Sequence, residues 1–280
     1  MNIYYIDGDY VEANAARLPV DDLSVLRGFG VFDFLRTYGG RPFHLEDHLA
    51  RLKRSAELIG LEVGRPLAEI TAIVHETLRR NGPAEANIRI VLTGGSSPDC
   101  FLPAGRPRLL VMVTPLAPPP AAWYRDGVEI VTIPYSRYLP GAKSINYIPA
   151  IHAMQDARRQ GAVEALYVKP DGRVTECTTS NLFAVVGGRL LTPETDLLPG
   201  ITRQVLLGLD LPLPAQISDL SLEALHSAEE VFLTASNKEV VPVVRIDQRL
   251  VADGRPGKWT REVMDRFRDY TTRCAGAEPA

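Results

Sequence analysis

The chain has 280 residues, 45% hydrophobic and 23% charged, with 31 Lys+Arg against 34 Asp+Glu and a formal net charge of -3. That composition fits a globular enzyme with two domains of moderate size; with no basic run and no aromatic-basic alternation, it excludes nucleic acid as a partner and leaves small molecules. No apolar run approaches the roughly 20 residues that a membrane span needs, and Met1 to Asp9 contains neither a basic nor an apolar leader segment, so no membrane partner and a cytoplasmic location are expected.

Cys100, Cys177 and Cys274 are widely spaced, form no CxxC pair and are too few and too odd in number for a disulfide framework, which fits a reducing compartment. No metal is expected.

The chain opens with a hairpin, Ile3-Tyr4-Tyr5-Ile6 and Tyr10-Val11 about the turn Asp7-Gly8-Asp9, and a loop then runs through Asp21-Asp22. Val31 to Tyr38 meets a Gly39-Gly40 turn and a second strand at Arg41-Pro42-Phe43. Leu45, Leu49, Leu52, Ala56 and Ile59 recur at helical spacing, as do Leu67, Ile70, Ile73, Val74 and Leu78, with Asn81-Gly82 as a C-cap. Residues 87–93 and 109–114 read as buried strands. This predicts an α+β N-terminal domain over 1–115.

Thr114-Pro115-Leu116-Ala117-Pro118-Pro119-Pro120 extends as polyproline II and places a linker at 116–127. The C-terminal domain, 128–280, resumes with a strand over 128–133. A helix follows from near Asn146 to about Gln160, then strand pairs over 165–168 with 173–175 and 181–186 with 189–191. A helix start at Gly200-Ile201-Thr202, strands over 231–233 and 240–245 and a terminal helix from Trp259 to about Tyr270 complete it.

Five segments put a polar residue or bare backbone where a strand gives way to a turn or helix, a common place for a ligand site. Lys143 follows the Pro140-Gly141 break; held there and desolvated, it would be a neutral amine nucleophile. In Leu198-Pro199-Gly200-Ile201-Thr202, backbone N–H groups and a hydroxyl open a helix and suit an anion. The Thr234-Ala235-Ser236 turn offers further N–H groups. Arg51, beside the apolar stripe at Leu52, suits a phosphate. Glu176, between a strand and a run of hydroxyl residues, needs a cation or a proton if buried. Each of the first four alone has an ordinary alternative: a solvated lysine, a capped helix start, an isolated turn, a surface arginine.

Together and in order, Lys143-Ser-Ile-Asn-Tyr147, Thr175-Glu-Cys-Thr-Thr-Ser-Asn-Leu-Phe183, Leu198-Pro-Gly-Ile-Thr-Arg203 and the stretch from Phe232 to Val243 resemble the class IV aminotransferases. Phe43 to Leu52 and Asp253 to Gly257 extend the likeness over nearly the whole chain. The resemblance implies fold type IV: two α+β domains, the C-terminal one larger and built on a pseudo-barrel of strands, in a homodimer that binds pyridoxal phosphate. It implies that Lys143 carries the cofactor as a Schiff base and shuttles the proton, and that Glu176 pairs with the pyridine nitrogen. Arg51, Ile201, Thr202, Ala235 and Ser236 would hold the phosphate, Leu198 would lie against the ring, and Tyr147 would reach the phenolic oxygen. Its lysine-to-tyrosine spacing is one shorter than in the branched-chain enzymes.

The substrate side departs from the D-amino-acid transaminases. Their carboxylate-trapping arginine and histidine are Asp99 and Phe101 here, and the aromatic hydroxyl near the cofactor is lost at Phe32. Arg27 and Arg89, with Arg36 in reserve, are the candidates for another carboxylate clamp; Arg89 has the alternative of an outward strand residue. Two arginines suit a D-amino acid with 2-oxoglutarate as acceptor. A branched-chain L-amino-acid aminotransferase and an aminodeoxychorismate lyase are the alternatives.

Overall fold

The computed structural model describes residues 1–82 and 84–276 and divides the chain into two compact units. The first unit takes Met1–Ala117, Gly141–Tyr147 and the residues from Cys274; the second takes Pro118–Pro140 and Ile148–Arg273.

The first unit is a six-stranded antiparallel sheet covered on one face by two helices. Its elements are β1 (Ile3–Ile6), β2 (Asp9–Glu12), α1 (Leu23–Arg27), β3 (Gly30–Tyr38), β4 (Arg41–Pro42), α2 (Leu45–Leu58), α3 (Leu67–Asn81), β5 (Ala86–Thr93) and β6 (Arg108–Pro115), in the sheet order β2-β1-β6-β5-β3-β4. Strand alternation sends Val31, Leu35, Ile88, Ile90, Val111 and Val113 into one core with Leu45, Leu49 and Leu52 of α2 and Ile70 and Val74 of α3. The same alternation puts Phe32, Phe34 and Arg36 on the other face of β3. α1 replaces part of the loop expected after Asp21: the buried Asp22 carboxylate caps it, accepting from Ser24 N at 2.8 Å and from Thr93 Oγ1 at 2.8 Å.

The second unit is built on a mixed ten-stranded sheet, the half-barrel expected of the fold. It comprises α4 (Ala121–Arg125), β7 (Val128–Pro134), α5 (Ile148–Arg159), β8 (Glu164–Val168), β9 (Arg173–Cys177), β10 (Asn181–Val186), β11 (Arg189–Thr192), α6 (Ile201–Leu207), β12 (Ala215–Ile217), β13 (Leu220–Ser221), α7 (Leu222–His226), β14 (Glu230–Ala235), β15 (Glu239–Ile246), β16 (Arg249–Leu250) and α8 (Lys258–Gly276), whose last residues count with the first unit. Strands run β12-β11-β10-β14-β15-β7-β8-β9-β13, with β16 on β15; β7 is parallel to both β15 and β8. α5 lies in the crossover between the parallel strands β7 and β8, burying Ala153 and Ala157 against Ala165 and Tyr167.

Three local expectations are corrected. Residues 116–120 carry no regular element, but the expected linker also contains α4, because Trp123 and Tyr124 pack on the second unit's core and the Tyr124 hydroxyl donates to Lys238 O at 3.0 Å. The helix after Lys143 starts at Ile148, not near Asn146, since the backbone of 143–145 is bonded to β3. For the same reason 141–147, expected in the C-terminal domain, counts with the first unit.

Candidate functional site

In the first unit, the Lys143 segment lies along β3, paired with it through an isolated bridge. Phe32 N donates to Lys143 O at 2.9 Å, Ile145 N donates to Gly30 O at 3.1 Å, and Ser144 bridges Val31. Lys143 N donates to Ser55 Oγ of α2 at 3.1 Å. The lysine backbone is thus tied to both a strand and a helix while its side chain stays half-buried. Gly30 makes this approach possible: a Cβ there would lie 2.7 Å from Leu92 O and 3.2 Å from Ile145 Cδ1.

Side chains from the face opposite the core gather beside this lysine. Lys143 Nζ lies 4.8 Å from the Phe32 ring centroid, and Tyr147 meets Phe32 edge-on at 5.4 Å. The Arg89 guanidinium lies over both Phe32 and Phe34, at 5.0 and 5.2 Å. Arg89 is an exposed, outward-facing strand residue; neighbouring groups desolvate it in part and lower its proton affinity, and it stays charged. Lys143, Tyr147, Phe32 and Arg89 are therefore brought together. Arg27, on α1, instead lies against the Phe101 ring at 5.8 Å, and Arg36 stacks on Tyr38 at 4.2 Å and donates to Thr37 O.

Arg51 is buried on the core side of α2. Its Nε and Nη2 donate to the two oxygens of Asp33 at 2.9 and 2.8 Å, and His48 Nδ1 meets Asp33 Oδ1 at 2.6 Å. Burial opposes ionisation of Asp33, but Arg51 and His48 outweigh it and hold the carboxyl well below the usual range. Burial pushes the His48 imidazole down, so it stays neutral at pH 7. The proton on Nδ1 points at Asp33, which leaves Nε2 an acceptor; among the described residues it has no partner.

In the second unit, Glu176 is the penultimate residue of β9, almost fully buried. Its Oε1 accepts from Arg137 Nη1 at 2.7 Å and its Oε2 from Leu198 N at 3.0 Å. Leu198 is held in turn by Asn181 Nδ2, which donates to its carbonyl at 2.9 Å. Gly200 begins α6 with no side-chain cap, Ile201 and Thr202 are buried, and a Cβ on Gly200 would overlap Asn181. α6 packs on β14, whose end carries the buried Thr234 hydroxyl, unpartnered among the described residues, immediately before Ala235 and Ser236. Uncapped N–H groups and an orphan hydroxyl in one unit fit an anionic ligand such as a phosphate ester.

The turn is braced from below. Glu164, fully buried at the start of β8, accepts from Thr178, from Thr179 N at 3.0 Å and Oγ1, from Ser180 Oγ at 2.9 Å, and from the Lys238 ammonium. Burial alone would raise its pKa, but Lys238 and the hydroxyls bring it down. One carboxylate thus joins the loop after Glu176 to the turn after Ala235. Burial raises the neighbouring Cys177 thiol, which is inert as a nucleophile.

Asp33, His48, Arg137, Glu164 and Lys238 were missed at the level of sequence. Asp33 did leave a signal, a carboxylate in the inward register of an apolar strand; Arg137 and Glu164 left only a charge near a strand end.

Residues 30–246 match the family described as Amino-transferase class IV. The chain is 32% identical over 280 residues to a putative branched-chain-amino-acid aminotransferase of Methanocaldococcus jannaschii, covering 96% of each. It is 30% identical over 277 residues to D-alanine aminotransferase of Staphylococcus epidermidis, covering 96% of this chain and 98% of the relative. Among solved structures it is similar to the T.th. branched-chain amino acid aminotransferase with pyridoxamine 5'-phosphate, at a TM-score of 0.91 and 26% identity, covering 99% of this chain and 95% of the other.

Proposed function

The chain belongs to the class IV aminotransferases, and on that premise we propose that it moves an amino group between an amino acid, D-amino acids favoured, and a 2-oxo acid such as 2-oxoglutarate. The family uses pyridoxal phosphate, and this chain would hold it through Lys143, Glu176 and the phosphate donors Arg51, Ile201, Thr202, Ala235 and Ser236, with Leu198 and Tyr147 flanking it. The bound cofactor supplies an electron sink for the electrons left when the substrate loses its α-proton.

Each residue then has a task. Lys143 Nζ tethers the cofactor and carries the α-proton, for which its backbone anchorage on β3 and α2 keeps the amine in place. Glu176, oriented by Arg137 and Leu198 N, would accept from a pyridine N–H. Arg89 meets a substrate carboxylate and Phe32 packs beside it, with Arg27 and Arg36 as further cations.

The observation that carries the transaminase reading is Arg89 over the same Phe32 ring that Lys143 approaches, which supplies a carboxylate partner beside the reactive amine; the preference for D-amino acids draws on the D-alanine aminotransferase relative. A branched-chain L-amino-acid reading draws on the apolar surface of Phe32 and Phe34 and on the name of the M. jannaschii relative. A homodimer and a cytoplasmic location complete the proposal; among the described residues no helix is long and apolar enough to cross a membrane.

The test is to follow the cofactor's absorbance while D- and L-amino acids are added one at a time to the wild type and to Arg89→Leu and Arg27→Leu. Conversion by D-amino acids, slowed in Arg89→Leu, is expected. Conversion by branched-chain L-amino acids alone, with both variants as fast as the wild type, would reverse the preference. Pyruvate release from aminodeoxychorismate without an amino acceptor would favour the lyase.

A further inference from the structure

Asp33 is held by four hydrogen bonds in the first unit. Its Oδ1 accepts from Arg51 Nη2 at 2.8 Å, from His48 Nδ1 at 2.6 Å and from Phe34 N at 2.7 Å, while Oδ2 accepts from Arg51 Nε at 2.9 Å. Asp33 and His48 are wholly buried and Arg51 is 3% exposed. A buried carboxylate so fully bonded has no alternative orientation, and an arginine bound to it side-on through Nε and Nη2 has its guanidinium plane set by both contacts. Rotatable bonds that would otherwise have to be ordered by a ligand are ordered by the fold.

The arrangement also solves a charge problem. A buried guanidinium with no counter-ion would be costly whenever the anion it serves is absent. Asp33 supplies that counter-ion permanently, and because His48 is neutral the cluster carries no net charge. In such a neutral cluster Arg51 acts as an oriented hydrogen-bond donor more than as a bulk positive charge.

We propose that Asp33, backed by His48, is a positioning residue that presets the Arg51 guanidinium for the phosphate ester of the cofactor. The proposal rests on the reading of Arg51 as a phosphate donor. Asp33 does not touch the ligand; it acts through the plane of Arg51, and its removal should be felt only by ligands that carry the phosphate.

The experiment compares affinities for pyridoxal phosphate and for pyridoxal, which lacks the phosphate, by fluorescence titration of the full-length apoprotein and its Asp33→Asn, His48→Gln and Arg51→Gln variants. Asp33→Asn should weaken pyridoxal phosphate by about 10- to 100-fold, the worth of charge-assisted hydrogen bonds, and leave pyridoxal within about threefold, which a general loosening of the fold would not do. Arg51→Gln should do the same. If Arg51→Gln changes the ratio of the two affinities and Asp33→Asn does not, the positioning role is overturned while Arg51 stands. If Arg51→Gln leaves the ratio unchanged, the reading of Arg51 fails and the proposal with it. Should Asp33→Asn fail to fold, His48→Gln decides: it keeps the ion pair intact, so the same selective weakening at a smaller size supports the proposal and an unchanged ratio overturns it.

Discussion

Arg137 and Glu176 form a directed pair, Nη1 to Oε1 at 2.7 Å, in which the arginine also donates to Pro140 O at 2.9 Å and the carboxylate keeps its other oxygen on Leu198 N. The turn before Lys143 and the strand end at Glu176 are therefore held by one guanidinium. Arg137→Gln removes the counter-charge beside a carboxylate that is nearly buried; because Arg137 is itself one-fifth exposed, the expected loss of stability is about 1–3 kcal/mol. A urea unfolding midpoint equal to that of the wild type would contradict this.

Lys238→Met leaves Glu164 buried without its cation. Breaking such a pair costs about 3–5 kcal/mol, whereas Glu164→Gln, which removes the charge along with the partner's need for it, should cost less. The order of the two losses, measured by chemical denaturation, separates an ion pair that matters from one that merely exists. The sign with pH follows from the lowered Glu164 pKa: its contribution is present above about 4.5, the value the unfolded carboxyl takes, and is lost as pH falls below it.

His48 adds a second acid-sensitive step. Its pKa is lowered from 6.5 by burial, with Arg51 and Lys143 opposing a positive charge and Asp33 favouring one. The native protein refuses a proton that the unfolded chain accepts, so stability is full above 6.5 and declines as pH drops below it, by at most about 1.4 kcal/mol per pH unit. Thermal melts between pH 7 and 5 should show this slope, flattened in His48→Gln.

Lys143→Ala should leave the fold in place, since the segment is held by its backbone, and should slow amino-group transfer by at least about 10²–10⁴-fold, the range for losing a positioned proton carrier. Far-ultraviolet circular dichroism and a single-turnover assay check the two halves.

Gly30→Ala tests whether the placement of that lysine depends on backbone contact. The added methyl would meet Leu92 O, a backbone atom of the adjacent strand, and Ile145, so β3 and the Lys143 segment would have to part. A stability loss of about 1–3 kcal/mol is expected, together with slower amino-group transfer. Unchanged kinetics would show that the lysine finds its place without the β3 contact.

Local order was legible where periodicity carries it. The α2 stripe of Leu45, Leu49, Leu52 and Ala56 and the paired strands of both units follow from spacing and turn residues alone, because those signals depend on neighbours three or four positions away. The family and fold were legible from four ordered motifs. By itself the sequence determined the family and the class of fold, and it singled out Lys143 as the candidate for the reactive amine. The tertiary structure decided that the Lys143 segment is held on β3 by a bridge and backbone hydrogen bonds, that Arg51 rests on the buried Asp33 and Glu176 on the partly exposed Arg137, and that the turn at Ala235 rests on the pair of the buried Glu164 with Lys238. These are contacts between residues far apart in the chain, made by backbone hydrogen bonds and desolvated charges. They leave no periodic trace, and their strength comes from the exclusion of water that only the completed fold provides.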